Sequence, residues 1–479
     1  MTHALLPLRC AFDDPLLLEP LMGGLSREAM RSILLASQGE ELTSAEREHW
    51  RALTLRDREP STRCEECHII GGRRSGKSSG VAALAIYAAT LMDYRDHLMI
   101  GERPVVLVIS ENQRTARIVF RYIEGGLDSS PVLSKMIVGR TASSITLDNG
   151  VSVEVHSADF RAIRGMTVCM AIIDEIAFLR NENSANPDYE IVDAILPSLV
   201  TTQGQLFSLG SPYAKRGVQY DRCSKHHGPL GDERIIVAKG STRLFNETVP
   251  QSVIDKAMER DPQSASSEWL GEFRNDIAAF VTREVVESAV LPGVFEIPFV
   301  DRQDYFAFCD PSGGSSDSFT LAIAASKPSP DDPDLMHGEL VCLREFIPPF
   351  SPDSVVSEIS KTLGAYNLDV VTGDRYAGEW PPERFKEHGI RYETSELSKS
   401  EVYRDTLPLL NAGRITLLDS RRLVAQLCSL ERRTGRGTGK DSIDHPPGAS
   451  CHDDLANSAC GALLLAAGKR SSGWVWERL

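Results

Sequence analysis

Residues 71–78 read Gly71-Gly72-Arg73-Arg74-Ser75-Gly76-Lys77-Ser78 and satisfy the pattern GxxxxGK[ST] in full. The flanks agree: an apolar His68-Ile69-Ile70 run precedes the turn, and a helical stretch beginning Ser78-Ser79-Gly80-Val81 follows it. A strand that feeds a helix through so tight a glycine turn commits the chain to an α/β layer with parallel strands. Glycine lets backbone N–H groups face phosphate oxygens, and the helix N-terminus adds a favourable dipole. Lys77 is expected to reach the β/γ-phosphates of ATP and the Ser78 hydroxyl to bind Mg²⁺, with Gly71, Arg73, Arg74, Ser75, Gly76 and Ser79 completing the cradle.

The downstream texture fits that commitment. Apolar runs at 104–110, 168–174, 205–211 and 234–240 alternate with amphipathic helical segments at 112–126 and 187–200, as in a mostly parallel sheet. Asn149-Gly150 turns a hairpin over 144–157. Ahead of the glycine turn, residues 1–60 read as short helices, with Ser26 expected to cap one and Thr43 to open a capping box with Glu46. The run Ala171-Ile172-Ile173 ends in Asp174 and Glu175. Asp174 is expected to hold Mg²⁺ through water and Glu175 to polarise the attacking water, which favours hydrolysis over phosphotransfer. Ser208-Leu209-Gly210-Ser211-Pro212 closes the next strand, where hydroxyls beside a γ-phosphate report its loss. Arg73, Arg74, Arg161 and Arg164 are the candidates for stabilising transition-state charge.

The second half carries a different pattern. Phe306-Ala307-Phe308-Cys309-Asp310 and Val370-Val371-Thr372-Gly373-Asp374 are apolar strands with an acid at the end, and His452-Asp453-Asp454-Leu455 opens the last helix. Each acid alone reads as a strand terminator or N-cap. Together, in strand, strand and helix order, they resemble the ribonuclease H-like nuclease fold. Carboxylates brought to one sheet edge repel unless divalent cations separate them; two Mg²⁺ or Mn²⁺ ions would serve phosphodiester hydrolysis. Asp317 reads as a loop residue beside that cluster. The metal candidates are therefore Ser78 and Asp174 in the first half, and Asp310, Asp374, Asp453 and Asp454 in the second, with Asp453 open either as a substitute for Asp454 or as a ligand shared with it.

Charge and cysteine usage limit the alternatives. The chain carries 52 Lys+Arg against 67 Asp+Glu, a formal net charge of −15, which argues against a simple basic coat for nucleic acid and leaves room for a local cationic groove. Residues 414–440 supply one candidate, through Arg414, Arg421, Arg422, Arg432, Arg433, Arg436 and Lys440. The ten cysteines are scattered and several lie in apolar runs, the usage of reduced buried thiols. Cys64-Glu65-Glu66-Cys67 has no second ligand pair at matching spacing for zinc. The N-terminus lacks a basic leader, and the run from Val81 to Met92 is short for a bilayer span, so an intracellular chain with no membrane association is expected.

GGRRSGKS, AIIDE and SLGSP, followed by Asp310 with PSGG, Asp374 and HDDLANSA, resemble the large terminase subunit of tailed bacteriophages over roughly residues 65–465. The resemblance implies an N-terminal P-loop NTPase domain and a C-terminal ribonuclease H-like nuclease domain. It divides the chain into a helical segment (1–60), an ATPase domain (61–277), a linker (278–300) and a nuclease domain (301–479). It implies ATP-driven movement of double-stranded DNA into a procapsid, with metal-dependent endonuclease cleavage of concatemeric DNA. Lys77, Ser78, Asp174 and Glu175 take the ATPase roles by position, and Asp310, Asp374 and Asp454 the metal roles. Implied partners are double-stranded DNA, a portal protein, a small terminase subunit and further copies in a ring, in the host cytoplasm. In place of the usual hydroxyl–small–hydroxyl coupling motif, Leu209 intervenes here. Two other readings compete: a P-loop helicase or remodelling ATPase with a non-catalytic C-terminal domain, and a nucleotide-gated interaction switch.

Overall fold

The computed structural model describes residues 3–111, 113–158, 163–179, 187–314, 317–329, 332, 335–374, 380–434, 441–446 and 452–468. The chain forms two compact units that meet in sequence between Asn275 and Asp276.

The first unit is built on an eight-stranded sheet. Its strands are β1 (Glu66–Gly71), β2 (Pro104–Ser110), β3 (Ile137–Arg140), β4 (Ser144–Leu147), β5 (Ser152–Ser157), β6 (Thr167–Ile173), β7 (Gln205–Gly210) and β8 (Ile235–Gly240). In space they run β8-β1-β7-β6-β2-β5-β4-β3. The pairings from β8 to β5 are parallel, and the two ladders that join β5, β4 and β3 are antiparallel. Alternate residues feed two cores. Ile69, Val106, Val108, Ile172 and Phe207 face helices α1 (Glu28–Ser37), α2 (Ser44–Thr54), α3 (Lys77–Thr90) and α4 (Gln113–Ser129). Leu107, Ile109, Ala171, Ile173 and Leu206 face α5 (Pro187–Leu199) and α6 (Gly217–His226). Burial on both faces is why these strands read as continuous apolar runs.

The N-terminal helices belong to this unit: Leu34, Trp50 and Leu53 are fully buried in the same core as α3. The Thr43–Glu46 capping box forms at the head of α2. Ser26 does not cap α1. It lies inside a 3-10 turn, Leu25–Arg27, and the helix starts at Glu28 with Arg27 as its cap residue and no side-chain cap bond.

The second unit has a six-stranded sheet. In chain order, β9 (Ile277–Ala279) comes first, then β10 (Asp304–Asp310), β11 (Phe319–Pro328), β12 (Met336–Phe346), β13 (Val370–Gly373), β14 (Arg391–Thr394), β15 (Ile415–Thr416), β16 (Glu431–Thr434) and β17 (Asp441–Asp444). The main sheet runs β14-β13-β10-β11-β12-β15, antiparallel where β11 pairs with β10 and β12 and parallel elsewhere. One face packs on α7 (Pro352–Ala365) through Val355, Val356, Ile359 and Leu363. The other packs on α8 (Lys399–Asn411), α9 (Arg421–Ser429) and α10 (Asp454–Ala467).

One sequence expectation changes here. The segment 278–300 is no free connection: β9 pairs with β16, and Phe280, Val281 and Val286 are buried in the α8–α10 core. Helix α9 stops at Ser429, because Glu431–Thr434 is drawn into a three-stranded antiparallel ladder, β9-β16-β17. No helix among the described residues is long and apolar enough to cross a membrane.

Candidate functional sites

In the first unit β1 ends at Gly71, and the chain reaches α3 through a loop whose backbone needs positive φ at Arg74 (63°) and Gly76 (81°). Gly76 is the residue capping α3, a left-handed position that glycine takes without Cβ strain. Gly72 is fixed by proximity, since a Cβ there would lie 2.8 Å from the Trp269 carbonyl oxygen. The loop is tied from outside. The Arg73 N–H donates to the Glu268 carbonyl (2.6 Å), the Thr242 hydroxyl to the Arg73 carbonyl (2.8 Å) and the Asn246 amide to the Arg74 carbonyl (3.0 Å).

Lys77 folds into this loop, its Nζ donating to the carbonyls of Gly71 (2.6 Å) and Gly72 (3.0 Å) and to Ser75 Oγ (3.3 Å). Burial pulls its pKa down, and the nearby charges of Glu175 and Asp174 oppose that pull. Asp174 follows β6 with 3 % of its surface exposed. Burial, then the Glu175 charge, push its carboxyl up to about 7, against Lys77 and the Ser78 hydroxyl. One carboxylate oxygen, Oδ1, is buried without a hydrogen-bond partner among the described residues. A buried carboxylate oxygen left bare beside a glycine loop has the chemistry to hold a hard cation such as Mg²⁺. Glu175 sits in the left-handed region (φ 53°), and its Oε2 accepts the Ser211 N–H at 3.3 Å. A non-glycine residue held there stores strain at a candidate site.

The two expected coupling serines part company. Ser211 touches Glu175. The Ser208 hydroxyl instead bonds His68 Nδ1 (2.6 Å) across the β1–β7 ladder, away from the loop. His68 Nε2 meets Glu66 Oε2 at 2.9 Å, and Arg222 of α6 donates to the same carboxylate at 2.9 and 3.2 Å. Burial alone would raise Glu66, yet the bonds from His68 and Arg222 carry it down to about 2. Of the arginine candidates, Arg73 pairs with Glu268 at 2.8 Å and Arg74 is exposed. Arg164 lines a surface cleft of about 540 Å³ together with Glu102 and Asp193. Arg161 lies outside the described residues. Cys64 and Cys67 are buried thiols pushed upward by desolvation, with Cys64 beside Gln205, and no zinc-like set forms around them among the described residues.

In the second unit the register brings the acids together. Cys309 pairs with Gly373 on the parallel β10–β13 ladder, so Asp310 and Asp374 leave the sheet side by side. Asp310 is also opposite Thr320 on β11, whose hydroxyl donates to the Asp454 carbonyl at 2.7 Å, planting the start of α10 at the same edge. One amide joins the pair: Asn457 Nδ2 donates to Asp310 Oδ2 (2.8 Å) and Asp374 Oδ2 (3.1 Å). Burial, then the Asp454 charge, hold the Asp310 carboxyl well above its ordinary range. Burial, then the Asp453 charge, raise Asp454 to about 6. Oxygen donors crowded in this way suit a hard divalent cation of the Mg²⁺ or Mn²⁺ kind.

Asp453 and Asp454 have different partners. Asp453 accepts from the Tyr403 hydroxyl (2.8 Å) and pairs with Lys399 Nζ (3.0 Å), which also holds Asp444 (2.8 Å). The Asp454 side chain accepts a backbone bond from Ser318 (3.1 Å) and faces Asp310 electrostatically. Asp317 stands in the loop, 3.6 Å from His452. The basic run is partly consumed inside the unit. Arg414 donates to the carbonyls of Met336 and Ala467, Arg422 pairs with Glu345 and Arg433 with Glu431. Arg436 and Lys440 lie outside the described residues. Asn457 had a signal in the sequence: it is one helical turn after Asp454, on the same face. Glu345 had none, since only the β11–β12 register places it opposite Thr320.

No protein-family model matches the sequence, and no curated protein matches it. Among solved structures, the fold is similar to the large terminase of bacteriophage HK97 (15% identity, 84% of this chain and 91% of that one, TM-score 0.35). It is also similar to the large terminase of a thermophilic bacteriophage (12% identity, 82% and 92%, TM-score 0.33). The large terminase nuclease of a further thermophilic phage, G20c, matches over 38% of this chain and 95% of its own (14% identity, TM-score 0.32).

Proposed function

We propose that this chain is a large terminase subunit: an ATPase that moves double-stranded DNA into a procapsid and a metal-dependent endonuclease that cuts it. One observation carries the reading. A phosphate loop backed by Asp174 and Glu175 shares a chain with an independent edge where Asp310, Asp374 and Asp454 converge, so a passive second unit leaves a costly arrangement without a use.

In the first unit the loop N–H groups and Lys77 hold the ATP phosphates, and Glu175 takes the proton of the attacking water. The Ser211 contact to Glu175 passes the state of the site to β7. Ser78 and Asp174 would hold Mg²⁺. In the second unit Asp310, Asp374 and Asp454 would hold divalent cations, which supply Lewis-acid stabilisation of the scissile phosphate. Asn457 fixes the spacing of the first two acids, and Lys399 with Tyr403 keeps Asp453 out of the set. A portal protein, a small subunit and ring assembly complete the proposed motor.

The test uses the full chain. Asp310→Ala is expected to abolish plasmid cleavage and spare ATP hydrolysis, and Lys77→Ala to do the reverse. Cleavage surviving in Asp310→Ala would end the nuclease assignment.

A further inference from the structure

We propose that Arg27, from the N-terminal helical segment, is a nucleotide-phosphate ligand of the loop at 71–78, and that it contacts a phosphate common to ATP and ADP. The inference rests on the reading of that loop as a nucleotide site.

Arg27 ends the turn Leu25–Arg27 and caps α1, whose Met30 packs against α3 so closely that a Cβ on Gly80 would lie 3.2 Å from its sulfur. That packing fixes where the arginine goes. Its Nη1 donates to Ser79 Oγ at 2.7 Å, and a Cβ on Gly76 would stand 2.9 Å from the same nitrogen. The Ser79 hydroxyl donates onward to the Gly76 carbonyl at 3.2 Å. A guanidinium thus lies against the first turn of α3, where loop N–H groups face an incoming anion.

Arg27 differs from its neighbours in charge balance. Arg9 pairs with Glu46, Arg31 with Asp13, Arg47 with Glu59 and Arg73 with Glu268. Among the described residues no carboxylate lies within ion-pair distance of Arg27, and the Ser79 hydroxyl is its hydrogen-bond partner. A half-buried guanidinium with a neutral partner gains most from an anion offering several acceptor oxygens, and phosphate suits its fork.

Position separates this role from that of an arginine finger. Lys77 Nζ lies at Gly71, Gly72 and Ser75 and feels the Asp174 and Glu175 charges, which marks the reacting end. Arg27 lies at Gly76 and Ser79, on the side where loop N–H groups cradle the α/β-phosphates. The N-terminal segment therefore becomes part of the binding site and takes no part in the chemical step.

The test is calorimetric titration of the full chain with ADP and with a non-hydrolysable ATP analogue, together with steady-state ATPase. Arg27→Ala should weaken both ligands about tenfold, with KM rising in step, kcat within about twofold of wild type and plasmid cleavage unchanged. Arg27→Lys should recover part of the loss. Unchanged affinity for both ligands would overturn the assignment, as would a loss confined to the ATP analogue, or a hundredfold fall in kcat at unchanged affinity. Arg27→Gln, which keeps a donor for Ser79, replaces the alanine variant if that variant unfolds at a lower temperature. Wild type that binds neither ligand, or binds both equally well in Lys77→Ala, would sink the nucleotide reading and this inference with it. Tight wild-type binding that Arg27→Ala leaves unmoved would overturn Arg27 alone.

Discussion

Asp454→Asn should stabilise the metal-free protein at pH 8. Burial and the neighbouring Asp453 charge raise Asp454 from an ordinary 3.8 to about 6 in the folded chain, with Asp317 adding to the effect and His452 and the Ser318 N–H opposing it. A carboxyl raised in this way favours the folded state below its unfolded pKa. The advantage is lost as pH climbs through the window from 3.8 to about 6. Above that window the ionised side chain costs about 3 kcal/mol, at 1.36 kcal/mol per pK unit. Asparagine carries no charge and still accepts the Ser318 bond. It forfeits the helix-dipole benefit of an acid in the first turn of α10, about 0.3–1 kcal/mol, which is too small to reverse the sign.

For a unit of roughly 200 residues that gain is about 6–10 °C in Tm at pH 8, and about half as much at pH 5. The assay is thermal unfolding of the chelator-treated full chain, wild type and variant, at both pH values. Titration with Mg²⁺ should then raise wild-type Tm, by about 2.7 kcal/mol of stabilisation at a hundredfold excess over Kd, and leave the variant flat. An Asp454→Asn protein no more stable than wild type in metal-free buffer at pH 8 would refute the claim that anionic crowding at this edge is costly.

The acid cluster yields two further outcomes. Asn457→Ala removes the amide shared by Asp310 and Asp374, and should cut cleavage and metal affinity about 10–100-fold while ATP turnover stays constant. Gel assays on supercoiled plasmid read the first, and isothermal titration with Mn²⁺ the second. Lys399→Met leaves Asp453, 3 % exposed, without its cation and should destabilise the second unit by about 3–5 kcal/mol, visible as an early unfolding transition.

Local patterns carried much of the fold. Strands buried on both faces announce themselves as apolar runs, so 104–110 matches β2 residue for residue. The Thr43 capping box was legible because both of its bonds are local. Non-local pairing was not. Glu431–Thr434 looks like the tail of a helix until β9 and β17 flank it, and Phe280, Val281 and Val286 look aperiodic because they fill a core assembled from distant helices. The acids at 310, 374 and 454 were visible as chain positions. Their convergence depends on the β10–β13 register and on Thr320, which no spacing encodes. Arg27 and Ser79 are far apart in sequence, and only the packing of α1 on α3 joins them.

Each unit also takes two adjacent acids and gives them unequal tasks by backbone means. At 174–175 the strand ends with Asp174 buried and partly bare. The left-handed turn at Glu175 then sends the second carboxylate to the Ser211 N–H. At 453–454 the cap residue is claimed by Lys399 and Tyr403, while the first helical residue makes no ion pair among the described residues and faces Asp310. In both pairs one acid meets a fixed donor and its neighbour keeps oxygens in reserve, buried near a second source of negative charge. Burial and that neighbouring charge raise the carboxyl, to about 7 at Asp174 and about 6 at Asp454. Exchanging either for its amide should therefore stabilise the metal-free fold above the raised pKa and, on the proposed metal roles, weaken the stabilisation that Mg²⁺ gives.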